Sequence, residues 1–398
     1  MEIKKYLNIC NLYLFIWALY MFHWQEVGPA FPVLNSLSNV FLGFNLLLSI
    51  YFSFVFLTKY RQKPLYKTLN LLLASLVIYG FFSYIERDYV GINGVKIKSG
   101  TYMIAALRTF LPIYTCFIFT KLGYITSKTI RFWFFIFFIQ SINIYIISRS
   151  VDLGLEMYDL DQMRTNNRGY LFVSLFPLLF FFKEKPVFQY VCITIMLFLT
   201  IISVKRGAIL TISLATICFF LHQFSKVSYS KKILAVFVFA ILIIQGSNFV
   251  ENLYESSNVF QTRYESTMEG SSSGRDVIAA NLLEIYLSSD IRHVIFGFGA
   301  DGTLGFGLYA HNDWLEILFN QGIVGLVLYF FFWFQLLRLW RKGRKNGQDI
   351  NFLMTMWLLC NFPKSLFSMW YSMANIIITM PLGYYLAKKY SENRKLLK

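Results

Sequence analysis

The chain alternates long apolar runs with short polar stretches. The runs fall at about 6–22, 37–57, 69–85, 101–120, 132–148, 169–182, 187–203, 208–224, 232–249, 323–338, 351–367 and 372–387. Most approach the roughly 20 residues that carry a helix across the hydrocarbon of a bilayer. The alternation over about ten residues that marks a membrane β-barrel is absent. In lipid every backbone polar group must be bonded within the protein, so helices are the remaining form. The pattern predicts an all-α integral membrane protein with about twelve transmembrane helices, folded as a single polytopic domain over residues 1–398. Residues 250–312 are too polar for lipid and predict a large outer loop containing short amphipathic helices. One begins at Arg275, where Val277, Ile278, Leu282, Ile285 and Tyr286 recur at helical spacing.

Composition agrees with a membrane protein. Of the 398 residues 57% are hydrophobic, 19% aromatic and 15% charged, against about 25% charge in a soluble domain. The net charge of +16 raises the question of nucleic acid. The basic residues, however, lie in clusters between apolar runs, as topology signals do, so no nucleic-acid partner is expected. Cys10, Cys116, Cys192, Cys218 and Cys360 all lie in apolar runs and form no CxxC pair; they read as small buried hydrophobes. No small-residue cleavage site follows the first run, which reads as a retained helix.

The basic clusters also orient the chain. "KYRQKPLYK", "KEK", "HQFSKVSYSKK", "RLWRKGRK" and the tail "KKYSENRKLLK" share one side when the runs are threaded alternately. That side is expected to be the cytoplasm, with both termini. The opposite loops are longer, more acidic and richer in Gly, Ser and Asn, and chemistry is expected there.

Several polar residues go beyond what insertion needs. Arg206 stands with Lys205 at an outer junction, so it is either a stray topology charge or an anion site, with Gly207 admitting close approach. Arg108 lies within the fourth run, where a charge costs at least about 2.5 kcal/mol. It either snorkels to the interface or faces a wet cavity, and Pro112 beyond it offers a local opening of the helix. Arg275 sits at a helix start, which already carries partial positive charge, and so is either a solvated surface residue or part of an anion site. In "HNDWLE", Asp313 and Glu316 have capping-box spacing, and Gly322 is placed to end a short interfacial helix. His311 and Asn312 precede that helix, and capping accounts for Asp313 and can extend to Asn312. Capping does not require a histidine, which is either an idle interfacial residue or a functional one. "GFGADG" at 297–302 has the letters of a dinucleotide loop without the strand and βαβ context, and reads as a flexible turn. Asp159 and Asp161 form an isolated DxD on the outer side, and no metal site is expected.

"FGFGADG" followed by "HNDWLEILFNQGIVGL" and a hydrophobic span resembles the signature of the O-antigen polymerase and O-antigen ligase superfamily. "KRG" at a helix junction and "GR" at the start of the outer-loop helix resemble its upstream elements. The likeness covers about residues 165–387. It departs at Lys205, where the family often has Ser. The resemblance implies a glycosyltransferase without metal or other cofactor, in the bacterial inner membrane, using undecaprenyl-diphosphate-linked oligosaccharides as donor and acceptor on the outer face. Membrane lipid and a chain-length regulator protein are its other expected partners.

Carried onto this chain, the family pattern makes His311 the general base, Asn312 its orienting neighbour, and Arg206 and Arg275 the diphosphate ligands, with Arg108 adding to their field. A polymerase of O-antigen or capsular repeats is the expected function. The alternatives are a ligase acting on lipid A core and a flippase of lipid-linked oligosaccharide. A flippase would usually show repeat symmetry and broken helices in both halves, and neither is visible in the sequence.

Overall fold

The computed structural model describes residues 9–23, 28–60, 66–67, 69–75, 77–78, 99–156, 167–203, 205–224, 274–306, 309–345, 349–370 and 375–395, with isolated residues between 248 and 265. The predicted run at 232–249 and the opening of the outer loop lie, apart from those isolated residues, outside them. So do the second part of the run at 69–85 and the Asp159 and Asp161 pair.

The described elements are helices, and among the described residues there is no strand. They are α1 (Ile9–Tyr20), α2 (Ser38–Lys59), α3 (Ser99–Lys121), α4 (Ser127–Glu156), α5 (Gly169–Leu175), α6 (Pro186–Ile202), α7 (Arg206–Phe224), α8 (Arg275–Ser288), α9 (Ile291–Phe296), α10 (Asp313–Lys345), α11 (Ile350–Phe367) and α12 (Ile376–Lys395). Short helical turns join some of them. Five described segments are long and apolar enough to cross a membrane: Ser38–Lys59, Ile104–Lys121, Ser127–Ser148, Arg206–Phe224 and Asp313–Arg344. Ile9–Tyr20, Gly169–Phe182 and Pro186–Ile202 are shorter and equally apolar in character. The chain is thus a multi-pass, all-α membrane protein, and the polar stretch before α10 carries short helices at α8 and α9.

Local chemistry explains the boundaries. Pro186 opens α6, where its missing N–H has no helical partner to lose. α5 passes into a 3₁₀ segment, Phe176–Phe182, at Pro177. α3 runs on through Pro112 rather than ending there. α4 is longer than its apolar run and carries helix through "SRSVDLGLE", which the polarity of the sequence assigns to a loop.

α12 packs along α3. The approach is close at Gly383, where an added Cβ would lie 2.6 Å from Cys116 Cβ and 2.9 Å from the Ile113 carbonyl oxygen. Small residues commonly set such helix contacts in membranes. Aromatic rings fill the space between α10, α11 and the segment before α12: Trp333 lies 5.3 Å from Trp370 and 5.8 Å from Trp357. Two of these indoles find acceptors, Trp357 in the Ile378 carbonyl and Trp370 in Asn361, as buried indole N–H groups usually do. A second, smaller core forms where Leu282 and Tyr286 of α8 meet Ala310 and Phe319.

Candidate functional site

The turn before α10 is built around Asn312. Its side-chain oxygen accepts from Trp314 N–H at 2.9 Å and Leu315 N–H at 3.2 Å, and its carbonyl accepts from Glu316 N–H at 2.9 Å. Asn312 is therefore the N-cap, and the capping box expected between Asp313 and Glu316 does not form. Both carboxylates turn inward and are fully buried. Asp313 accepts from the Tyr329 hydroxyl at 2.7 Å and from Trp370 N–H at 2.9 and 3.0 Å. Glu316 accepts from the Thr303 hydroxyl at 2.7 Å, Ala310 N–H at 2.6 Å and Asn320 Nδ2 at 3.4 Å. Buried carboxylates need such donors, which outweigh a solvated place in the first turn.

His311 sits between these anchors. Its φ is +52°, a left-handed conformation shared among the described non-glycine residues only by Asp301. For a residue with a side chain this costs on the order of 1 kcal/mol, and such strain gathers at functional sites. Glu316 holds the residue before His311 and the helix cap holds the residue after it. The imidazole is left exposed on the turn.

Cations face that imidazole. Partial burial lowers the His311 pKa from its ordinary value, and Arg275 and Lys205 lower it further. Arg275 is the first residue of α8, behind Gly274 in the left-handed region, and its Nη1 donates to the Phe367 carbonyl at 2.9 Å. Lys205 and Arg206 begin α7. Gly207 brings this turn in closely, because a Cβ there would collide with the Tyr170 hydroxyl and lie 3.4 Å from Phe367 Cβ. Phe367 therefore touches both the start of α7 and Arg275.

The structure gathers His311, Asn312, Arg275 and the Lys205–Arg206 turn around one end of the bundle. Arg108 is placed by another bond: its Nη1 donates to Tyr20 of α1 at 3.0 Å. Its helix reaches Trp370 through Phe110, with ring centroids 5.9 Å apart. Among the described residues no group of three or more His, Cys, Asp and Glu side chains is arranged to hold a metal.

The glycines at 297–302 form a packed turn rather than a flexible one. Phe298 N–H and Gly299 N–H donate to the Phe319 and Asn320 carbonyls at 2.9 and 3.0 Å, and Phe298 stacks on Phe319. Gly297 at φ +78° and Gly322 at φ +64° make this fit possible, since a Cβ on either would strike the facing backbone. Gly322 also breaks α10 into a short N-terminal piece and the long apolar segment, as its place in the sequence predicts. α8 follows the expected helical pattern, although Val277 is exposed. His293, which sequence alone leaves without a task, stacks on Phe298 and bonds Asp290, the N-cap of α9.

No curated protein matches the chain. The family model described as O-antigen ligase matches residues 191–330, a stretch that includes Arg206, Arg275, His311 and Asn312. The motifs at the α7 junction, the α8 start and the His311 turn lie in or beside that matched stretch, and the match supports the chain's resemblance to the O-antigen polymerase and ligase superfamily.

Proposed function

We propose that this protein polymerises lipid-linked polysaccharide repeats, transferring a glycan from undecaprenyl diphosphate to a sugar hydroxyl of the next lipid-linked repeat. The reaction would occur on the outer face of the inner membrane, with both termini in the cytoplasm. The observation that carries the reading is the grouping of a strained, exposed His311 with Arg275 and the Lys205–Arg206 turn.

In this reading the acceptor hydroxyl oxygen attacks the anomeric carbon from the side opposite the diphosphate. The bond from that carbon to the diphosphate oxygen breaks, and its electron pair leaves on the diphosphate. The hydroxyl proton passes to the neutral His311 imidazole, and the anomeric centre inverts. General-base help of this kind contributes about 10² to 10⁴ in rate. Arg206 and Arg275 each offer a planar fork to phosphate oxygens, meeting charge as it develops on the leaving group. Partial burial, with Arg275 and Lys205 beside it, favours the neutral form of His311, which accepts a proton. Arg108 contributes longer-range positive potential, and a chain-length regulator is the partner that would set product size.

A second reading, transfer of a finished chain to lipid A core, draws support from the description of the matching family as O-antigen ligase. Both use the same donor chemistry. Deletion of the gene separates them: single-repeat product supports the polymerase, and accumulated long lipid-linked polymer supports the ligase. The direct test is extension of a defined diphosphate-lipid repeat by purified protein in nanodiscs. Wild type should make a ladder of products and His311→Ala almost none; equal ladders would overturn the assignment of the base.

A further inference from the structure

Lys364 lies within α11, buried, and takes no part in the chemistry above. An ionisable group in the interior of a membrane bundle is expensive and is usually retained for a ligand or a partner. Among the described residues its ammonium has no hydrogen bond or ion pair; the facing charge is Asp313. Asp313 in turn receives the Tyr329 hydroxyl and Trp370 N–H. What the Lys364 ammonium does meet is the ring of Tyr170, 5.3 Å from its centroid.

Tyr170 is itself incompletely satisfied. It is 6% exposed, and its hydroxyl lies near Ser368 and Arg275 yet makes no hydrogen bond of standard geometry among the described residues. The same hydroxyl faces Gly207, in the first turn of α7, where the missing Cβ leaves it room. The free backbone N–H groups of that 19-residue helix carry partial positive charge. One turn beyond Lys364, the Phe367 carbonyl holds Arg275. A buried hydroxyl without a hydrogen bond and the ammonium of a buried lysine thus converge beside a helix N-terminus and two of the cations already assigned to the donor.

We propose that Lys364 and Tyr170 form a phosphate subsite against the start of α7, one that takes the second phosphate of the lipid-linked donor. The proposal rests on the diphosphate-lipid reading of the site. A phosphate there would accept from Lys364 Nζ, the Tyr170 hydroxyl and the first N–H groups of α7, satisfying a hydroxyl that is expensive to leave buried without a partner. Arg206 and Arg275 would remain on the phosphate nearer the sugar.

The test is binding of undecaprenyl phosphate and undecaprenyl diphosphate to the full-length protein in nanodiscs, read by tryptophan fluorescence. Wild type should prefer the diphosphate lipid. Lys364→Met should weaken diphosphate binding about 10- to 100-fold, as loss of a charge-assisted hydrogen bond does, while changing monophosphate binding little, so that the preference collapses. Tyr170→Phe, which keeps the ring, should show a smaller loss in the same direction. Without lipid, Lys364→Met should stay folded and melt close to wild type, since Asp313, the charge facing the lysine, keeps its hydrogen bonds from the Tyr329 hydroxyl and Trp370 N–H. A folded Lys364→Met that keeps the wild-type preference would overturn the subsite alone. Wild type that binds neither lipid would overturn the donor reading and the subsite with it. A Lys364→Met protein that melts lower than wild type would make the lysine a structural residue and overturn the subsite, with Tyr170→Phe binding like wild type as the matching result.

Discussion

Glu316 accepts the backbone N–H of Ala310 at 2.6 Å, so a fully buried carboxylate one turn into α10 fixes the residue immediately before His311. Its other oxygen receives Thr303 and Asn320. The Ala310 N–H and the Asn320 amide N–H can only donate, so each needs an oxygen of residue 316 facing it. Glu316→Gln would turn an amide N–H₂ toward one of them, leaving buried donors opposed at a cost of about 1 to 3 kcal/mol. Turnover should fall about 10-fold or more, and the fall should depend on the histidine. In a double-mutant cycle, His311→Ala with Glu316→Gln should be no slower than His311→Ala alone. Multiplicative losses would mean that Glu316 acts elsewhere.

The lowered His311 pKa has a direct kinetic sign. The base must be neutral, so activity rises as pH rises through that pKa. Burial, Arg275 and Lys205 lower it, and the acidic limb of the rate profile should therefore lie below the ordinary histidine value of about 6.5. Lys205→Gln removes one of the lowering charges. Its acidic limb should move upward in pH, toward the unperturbed value, in a profile of chain extension against pH. A limb that stays in place would separate Lys205 from the histidine.

Charge and shape at the arginines can be told apart. Arg275→Lys keeps the charge but loses both the planar fork and the geometry of the bond to the Phe367 carbonyl. Arg206→Lys tests the fork at the start of α7. Each should slow chain extension about 10-fold or more, equivalent to roughly 1.4 kcal/mol of transition-state stabilisation. Near wild-type rates would indicate a diffuse positive field without directed hydrogen bonds.

Two glycines give a matched pair for stability. Gly322 has φ +64° and lies against the Ile295 carbonyl, so Gly322→Ala combines backbone strain with a collision. A loss of more than about 1 kcal/mol is expected, read as a lower melting temperature in detergent together with lost activity. Gly43, in α2, has open space where a Cβ would go. Gly43→Ala should be neutral or stabilising by up to about 1 kcal/mol.

Much of the bundle was legible in the apolar runs because burial in lipid imposes length and polarity together. The run at 37–57 became Ser38–Lys59, and that at 208–224 became Arg206–Phe224. α4 escaped this reading because a helix can continue past the apolar zone once its carbonyl ladder is running. At the candidate site, local spacing located the turn but misassigned its parts. Asp313 reaches Trp370 across 57 positions and Thr303 reaches Glu316 across 13, and no local rule encodes such pairings. Spacing suggested Asp313 as the cap. Burial of its carboxylate left that role to Asn312, whose amide caps without carrying charge inward. Lys364 went unremarked because one lysine hardly alters the hydropathy of an 18-residue helix.

The break at Gly322 has a consequence for how this protein can adapt to its lipid surroundings. Helical phase does not carry across a residue at φ +64°, ψ −163°. The azimuth of the His311 turn is therefore set by Glu316, Asp313 and the glycine turn, and not by the angular register of the lipid-facing stripe that starts at Ile323. Substitutions that retune the span to a thicker or thinner bilayer can accumulate beyond the break without rotating the histidine.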